Sequence, residues 1–372
     1  MRIPVSDLSV GGALGGSRAL RTRTVPVHAR GAYVPWPRYG GGDAESAAFA
    51  EARRLMEESR AASTRRRYEK DWAMYVRWVA LTYPEHATLP ALPALIGLYI
   101  GVLRTHGLAK QTILGRLAAI AYAHELAGEP SPLKTGDLYR QIRGLRRQVE
   151  KPRQKREALV REEATTMLEQ WSSLSSLGEL RDRAIFTLAW CSALRRSNVA
   201  ALQVDDVKIL KDPIDGQRYV EIFVQKSKTD QEGRGRRVVV TELPNRHPLC
   251  AVRALEAWLH AAKITAGPLF RTFALDRNPK TRKLTQNGID GRDVARAVKR
   301  IAASAGIDAS TFAAHSLRRG FVTSADAAGV RRALIREQGG WKDDRMISVY
   351  TTVENVRENA LRDMFAQPKT AD

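Results

Sequence analysis

His315-Ser316-Leu317-Arg318-Arg319-Gly320 sets an imidazole and a guanidinium three residues apart, the spacing of neighbours on one helix face. Downstream the chain reads Gly339-Gly340-Trp341, and nine residues beyond that tryptophan stands Tyr350. Gly329 and the pair Gly339-Gly340 break the helical pattern, and Asp343 is placed to cap a short helix that carries Tyr350. Upstream lies Ala193-Leu194-Arg195-Arg196-Ser197-Asn198, running on into Val199-Ala200-Ala201-Leu202. Between the two regions, 219–224 and 237–241 are β-branched runs joined by a polar stretch, Lys226 to Gly235. That pattern predicts a β-hairpin with Lys228 near its tip.

At these residues the chain resembles the tyrosine recombinases, the phage integrase family, and within it the Cre-type members. The family's order is a Leu-Arg segment leading a helix, a lysine on a hairpin, His-x-x-Arg, Gly-His or Gly-Trp, then a tyrosine nine residues on. All five elements occur here in that order. The resemblance runs from roughly Ser63 to Phe365. It implies a mainly α fold with a small β-sheet or hairpin. An N-terminal helical core-binding (SAM-like) bundle would precede an α+β catalytic domain, the two forming a clamp around DNA. It also implies that Arg195, Lys228, His315, Arg318, Trp341 and Tyr350 are the catalytic residues. From the residues alone, Arg196 competes with Arg195; the family's register, in which the arginine follows Leu194, favours Arg195. Lys226, two residues from Lys228, remains the competing lysine. One position departs from the family pattern: an acid is common three residues after the first arginine, and here Asn198 stands there. Its carbonyl oxygen can still orient Arg195, with less electrostatic pull.

Each residue type suits phosphodiester cleavage. Attack on the phosphorus adds a second negative charge, and two arginine forks can stabilise that charge where it develops. Arginine matches a phosphate better than lysine does. A phenol with an ordinary pKa of about 10 is protonated at neutral pH, so nearby arginines and a proton acceptor, His315, must activate it. The 5′-hydroxyl leaves poorly without a proton, which Lys228 can supply. Trp341 offers one indole N–H and a broad apolar face. A covalent phosphotyrosine would keep the energy of the broken bond, so no ATP and no metal is expected. The sequence holds no His-x-x-x-His, Cys-x-x-Cys or phosphate-binding glycine loop.

Outward from this region, the remainder reads as a basic arm over 1–45, a helical DNA-binding domain over 46–150, a linker over 151–158 and a catalytic domain over 159–372. The arm is rich in glycine and arginine and without periodicity, so disorder is expected there. Helices are predicted from Thr64 to Val79 with Ser63 as N-cap, from Pro93, from Lys110 to Leu126, and from Leu138 to Val149. In the second domain, helices are predicted over 181–192, 248–262 and 292–303. Arg140, Arg143 and Arg147 form a stripe at helical spacing, and from Arg140 to Arg156 eight Arg or Lys face one acid, Glu150. Together with Arg65, Lys110 and Arg116 they are the candidate DNA-binding residues; a solvated helix face is the competing reading.

The 372-residue chain carries a formal charge of +21, which favours a polyanionic partner. With 44% hydrophobic residues it can bury a core in each of two domains. Two cysteines, Cys191 and Cys250, suggest no disulfide framework, and the longest apolar run, 89–103, holds two prolines and is too short to span a bilayer. The expected setting is the cytoplasm of a bacterium, or of a phage-infected one, at the nucleoid. The resemblance implies as partners double-stranded DNA with inverted repeats and three further copies of the chain, docked through the C-terminal helix; folding of that helix back onto its own domain is the competing reading. Val353, Val356, Ala360, Leu361, Met364 and Phe365 fall close to one face of that helix. Two other outcomes fit the same residues: a type IB topoisomerase-like enzyme that nicks and reseals, and an inactive DNA-binding regulator.

Overall fold

The computed structural model describes residues 47–48, 51, 54–55, 59–149, 157–171, 176–225, 234–274 and 283–350, with the backbone alone for Met346, Val349 and Tyr350. The predicted arm, Lys228 with Lys226, and everything after Tyr350 lie outside these residues. The chain divides into two compact units between Arg153 and Gln154.

Among the described residues, four helices enclose the core of the first unit: α1 (Ala62–Thr82), α2 (Pro93–Thr105), α3 (Lys110–Ala127) and α4 (Gly136–Arg147). Pro93 sits in the first turn of α2, where its missing N–H leaves no bond unmade. The inward face of α2 is Leu95, Ile96, Tyr99, Ile100 and Leu103, all buried, as the i, i+3, i+4 pattern requires. Tyr75 and Trp78 from α1 meet Tyr99 with ring centroids 5.3 and 5.0 Å apart, and Leu138, Ile142 and Leu145 of α4 close the core. Ser63 is not the N-cap of α1. The helix begins one residue before it, so Ala61 takes the cap position with no side-chain bond, and Ser63 lies inside the first turn.

In the second unit, helix α6 (Leu177–Cys191) is the axis of the core: eight of its residues are buried. It starts earlier than 181 because Ser176 and Glu179 form a capping box, Ser176 Oγ accepting from the Glu179 N–H and the Glu179 carboxylate from the Ser176 N–H. Around it lie α5 (Arg161–Gln170), the short α7 (Arg196–Ala201), α8 (Ala251–Ala262), α9 (Gly291–Ser304) and α10 (Ala314–Ala327). A three-stranded antiparallel meander joins β1 (Val207–Lys211), β2 (Arg218–Val224) and β3 (Arg236–Thr241). The predicted hairpin is the β2–β3 pair, with Val224 opposite Arg236 at the turn end. β1 and a second hairpin, β4 (Arg271–Phe273) with β5 (Leu284–Gly288), had no clear sequence pattern. Two short helices end the described chain, α11 (Arg332–Gly339) and α12 (Arg345–Tyr350).

The stretch expected as linker ends sooner than 158. Glu157 N–H already donates to Thr311, and Leu159 is fully buried, its N–H on the Ser316 carbonyl and its own carbonyl on the Trp190 indole.

Candidate active site

Three chain segments converge on one side chain. Arg318, in the second turn of α10, is 2% exposed. Its Nη1 donates to the carbonyl of Ala193, its Nη2 to the carbonyl of Gly339 at 2.7 Å, and its guanidinium stacks on the Trp341 ring. Ala193 opens the turn between α6 and α7 and is fully buried with φ +50°, a left-handed conformation uncommon for alanine. Leu194 follows into the core, and Arg195 stands at the N-cap of α7, half-buried. Thus the fork of Arg318 fixes the backbone two residues before Arg195 and two before Trp341.

His315 is the second residue of α10 and opens to solvent, one turn from Arg318. Its pKa is lowered, first by partial removal from water and then by the charges of Arg318, Arg319, Arg195 and Arg196. An imidazole so placed is neutral at pH 7 and can accept a proton. Asn198 is buried in α7, and its Oδ1 accepts a long bond from Ser197 Oγ at 3.5 Å.

Trp341 and the tyrosine helix are held by their own small core. Trp341 packs with Val322 of α10, Ile335 of α11 and Ile347 of α12. Asp343 is not the cap of α12: the helix begins at Arg345, so Asp344 takes the cap position, its carbonyl accepting from Ile347 and Ser348, and Asp343, one residue earlier, accepts the Arg345 N–H on its carboxylate at 2.9 Å. Tyr350 is the last described residue, one turn after the buried Ile347. Hence α6–α7, α10 and α11–α12 bring Arg195, His315, Arg318 and Trp341 into one region. The backbone of Tyr350 follows on α12.

Two residues unremarked in the sequence join this region. Arg236 of β3 donates from Nη1 to the carbonyls of Glu337 and Gln338 at 3.0 and 3.2 Å. Gln338 donates in turn to the carbonyls of Cys191 and Val239. The only sequence hint was a cation at the edge of the hairpin.

The DNA-binding candidates separate by burial. Arg140, Arg143 and Arg147 are exposed on α4, Arg140 paired with Asp137 and Arg143 lying over the Tyr139 ring. Arg65 is half-buried on α1. Lys110 is turned to the end of α4, donating to the carbonyls of Arg146 and Gln148 at 3.2 and 2.6 Å. Arg116 is not on the outer surface: it is buried, donating to the Tyr99 hydroxyl. It lies between Ile113 and Ile120 on the inward stripe of α3, and burial takes it out of the exposed basic face. Among the described residues no helix is long and apolar enough to cross a membrane.

Residues 157–357 match the model of the phage integrase family. The chain is 32% identical over 318 residues to an integrase/recombinase xerD homolog of Selenomonas ruminantium, across 84% of this chain and 89% of the relative. It is similar in structure to XerH site-specific recombinase in its post-cleavage complex with a palindromic difH substrate. There the identity is 16% and the TM-score 0.53, over 80% of this chain and 78% of that one. It is also similar to the Tn1549 transposon integrase in complex with transposon right end DNA. In that case the identity is 13% and the TM-score 0.52, over 85% and 98% of the two chains. At such identities the structural likeness bears on the fold, and these matches bear on the family rather than on its Cre-type branch.

Proposed function

Because this chain belongs to the phage integrase family and is a tyrosine site-specific recombinase, we propose that it cuts and rejoins DNA through a covalent bond to Tyr350. The phenol oxygen attacks the scissile phosphorus, and the bond to the 5′ oxygen breaks. His315 takes the phenol proton, and Lys228 gives a proton to the departing 5′-hydroxyl. A 5′-hydroxyl from another strand then attacks the 3′-phosphotyrosine and releases the tyrosine. Arg195, at the open end of the site, meets the phosphate oxygens with its fork. Arg318 adds a fixed charge in a region shielded from water, where it needs little reorganisation. Neither step consumes a cofactor or a metal ion.

The observation that carries this reading is the fork of Arg318 on the carbonyls of Ala193 and Gly339. One buried cation thereby sets the spacing of Arg195, Trp341 and the tyrosine helix, segments far apart in sequence. Supporting it on the DNA side are the exposed arginines of α4 and the charge of +21. Both units would contact a duplex bearing inverted repeats, in keeping with the palindromic substrate of XerH. Four copies on two such duplexes would complete exchange, each linked to the next by the segment after Tyr350. The bacterial origin of the xerD homolog favours action on DNA in the bacterial cytoplasm.

The test uses a nicked duplex carrying a site selected by the unaltered chain from a random-sequence pool. The parent should form a denaturant-resistant 3′-phosphotyrosyl adduct. Tyr350→Phe should form none, yet bind the duplex within about three-fold, since removing one hydroxyl leaves the phosphate contacts in place. An adduct in the variant would assign the chemistry to another residue. Deleting 354–372 should leave cleavage measurable while abolishing four-subunit assembly on two duplexes.

A further inference from the structure

The end of α11 is where the chain must stop, turn and deliver Trp341. Its last carbonyls have no partner within the helix, and they carry the negative end of its dipole. Two guanidinium groups meet them from different elements. Arg318 of α10 takes the carbonyl of Gly339, and Arg236 of β3 takes those of Glu337 and Gln338. Gly340 follows with φ +64°, and its N–H bonds back to the Glu337 carbonyl. A Cβ built on Gly340 would lie 2.5 Å from Nε of Arg236 and 2.8 Å from its Cζ. The turn is therefore shaped around that guanidinium, and only glycine satisfies both its backbone angle and its neighbour.

We infer that Arg236 is a positioning residue for strand cleavage: it clamps the α11–Gly340 turn to the sheet and so fixes where Trp341 and the tyrosine helix α12 stand relative to Arg195. The inference rests on the reading of the site given above. Gln338 ties the same turn to the carbonyls of Cys191 and Val239, so the turn is braced on the α6–α7 junction and on β3 at once. Burial and the nearby charge of Arg195 both press the pKa of Arg236 down. A second guanidinium beside Arg195 is electrostatically costly, and here the carbonyl end of a helix offsets that cost. Since Arg236 spends Nη1 on two carbonyls, its contribution is to geometry rather than to the phosphate. A displacement of about 1 Å in a nucleophile costs on the order of 100-fold in rate.

The test compares Arg236→Met, which keeps bulk but no donors, and Arg236→Lys, which can reach one carbonyl, on the selected nicked duplex. Each is run with an ordinary phosphate and with a neutral methylphosphonate at the scissile position. Arg236→Met should bind DNA within about three-fold of the parent but form adduct about 10- to 100-fold more slowly at saturating DNA, and Arg236→Lys should recover part of the rate. The methylphosphonate should not rescue Arg236→Met, because no charge on the phosphate was being met by this residue. It should rescue Arg195→Ala in part. Rescue of Arg236→Met would make Arg236 a phosphate ligand and overturn the positioning role. So would an unchanged rate, or a rate that falls only in step with DNA affinity in both variants. If the parent itself forms no adduct on either duplex, the reading of the whole site fails instead.

Discussion

The guanidinium carbon of Arg318 lies 3.9 Å from the centroid of the Trp341 ring, and both residues are buried. The ring screens a charge that the backbone carbonyls of Ala193 and Gly339 also solvate. Lysine cannot reproduce this. Its ammonium is a point charge with no planar face to lay on the indole. Arg318→Lys should lose about 2–4 kcal/mol of stability in urea unfolding, since a buried charge loses part of its bonding. Cleavage should fall about 100-fold, because the fork that sets the spacing of Arg195 and Trp341 is lost. Trp341→Phe keeps the stacked face and should cost far less than Trp341→Ala, for which about 3–5 kcal/mol is expected. A Trp341→Ala protein as stable as the parent would show that the stack carries no weight.

The pKa of His315 lies below the ordinary 6.5. The folded state then binds fewer protons than the unfolded state at mildly acidic pH. Any stability this residue contributes is present above the unfolded pKa and is lost as pH falls through the folded one. For cleavage the same group acts as a base and works when neutral. The profile of kcat/KM, which reports the free enzyme, should be level near pH 7 and fall on the acidic side below about 6.5. His315→Gln should lower the plateau and remove that acidic limb. A limb above 6.5 in the parent, or one that survives in the variant, would assign it to another group.

On α4, Arg143 and Arg147 are exposed, whereas Lys110 and Arg116 are engaged within the helical unit. Replacing Arg143 and Arg147 together with alanine should flatten the log–log salt dependence of DNA binding by about 1.8, or 0.9 for each phosphate released. Arg116→Met should leave the slope unchanged and alter unfolding instead. Lys110→Ala should loosen the end of α4, whose carbonyls it bonds, with a loss of about 1 kcal/mol. Equal slopes for parent and double variant would mean that the stripe faces only solvent.

How much of this was legible depends on how local the cause is. The inward face of α2 follows from Pro93 and five apolar residues at helical spacing, and the structure buries all five. The β2–β3 hairpin follows from two β-branched runs around a polar turn. β1 escaped notice because only Val207 and Ile209 of its five residues turn inward. The inward position of Arg116 is written in its spacing from Ile113 and Ile120, against the general tendency of a charged side chain to face out. The inward role of Arg318 had no local sign, since its carbonyl partners are 125 and 21 residues away in the chain. Arg236 was invisible for the same reason: the helix end it bonds lies about a hundred residues further on.

Leu159 and Gly320 meet with no room for a side chain between them. A Cβ on Gly320 would overlap the carbonyl of Leu159, which is also bonded to the Trp190 indole. Leu159 N–H bonds the Ser316 carbonyl one turn earlier on the same helix, so this single residue brackets Arg318 on α10. Neither side can yield cheaply: the obstacle is backbone, and Leu159 is itself fully buried. Gly320→Ala must therefore push the 157–159 segment off α10 or tilt the helix that holds His315 and Arg318. A loss of about 3 kcal/mol or more is expected, beyond the 1–3 kcal/mol typical of overpacking by flexible side chains. Gly144→Ala is the matched control. Gly144 lies within α4 with no atom near its would-be Cβ, and alanine there should add about 0.5–1 kcal/mol through helix propensity. Urea unfolding of the two variants should move the midpoint in opposite directions. A Gly320→Ala protein with the parent's midpoint would mean that the contact between Leu159 and α10 is not tight in solution.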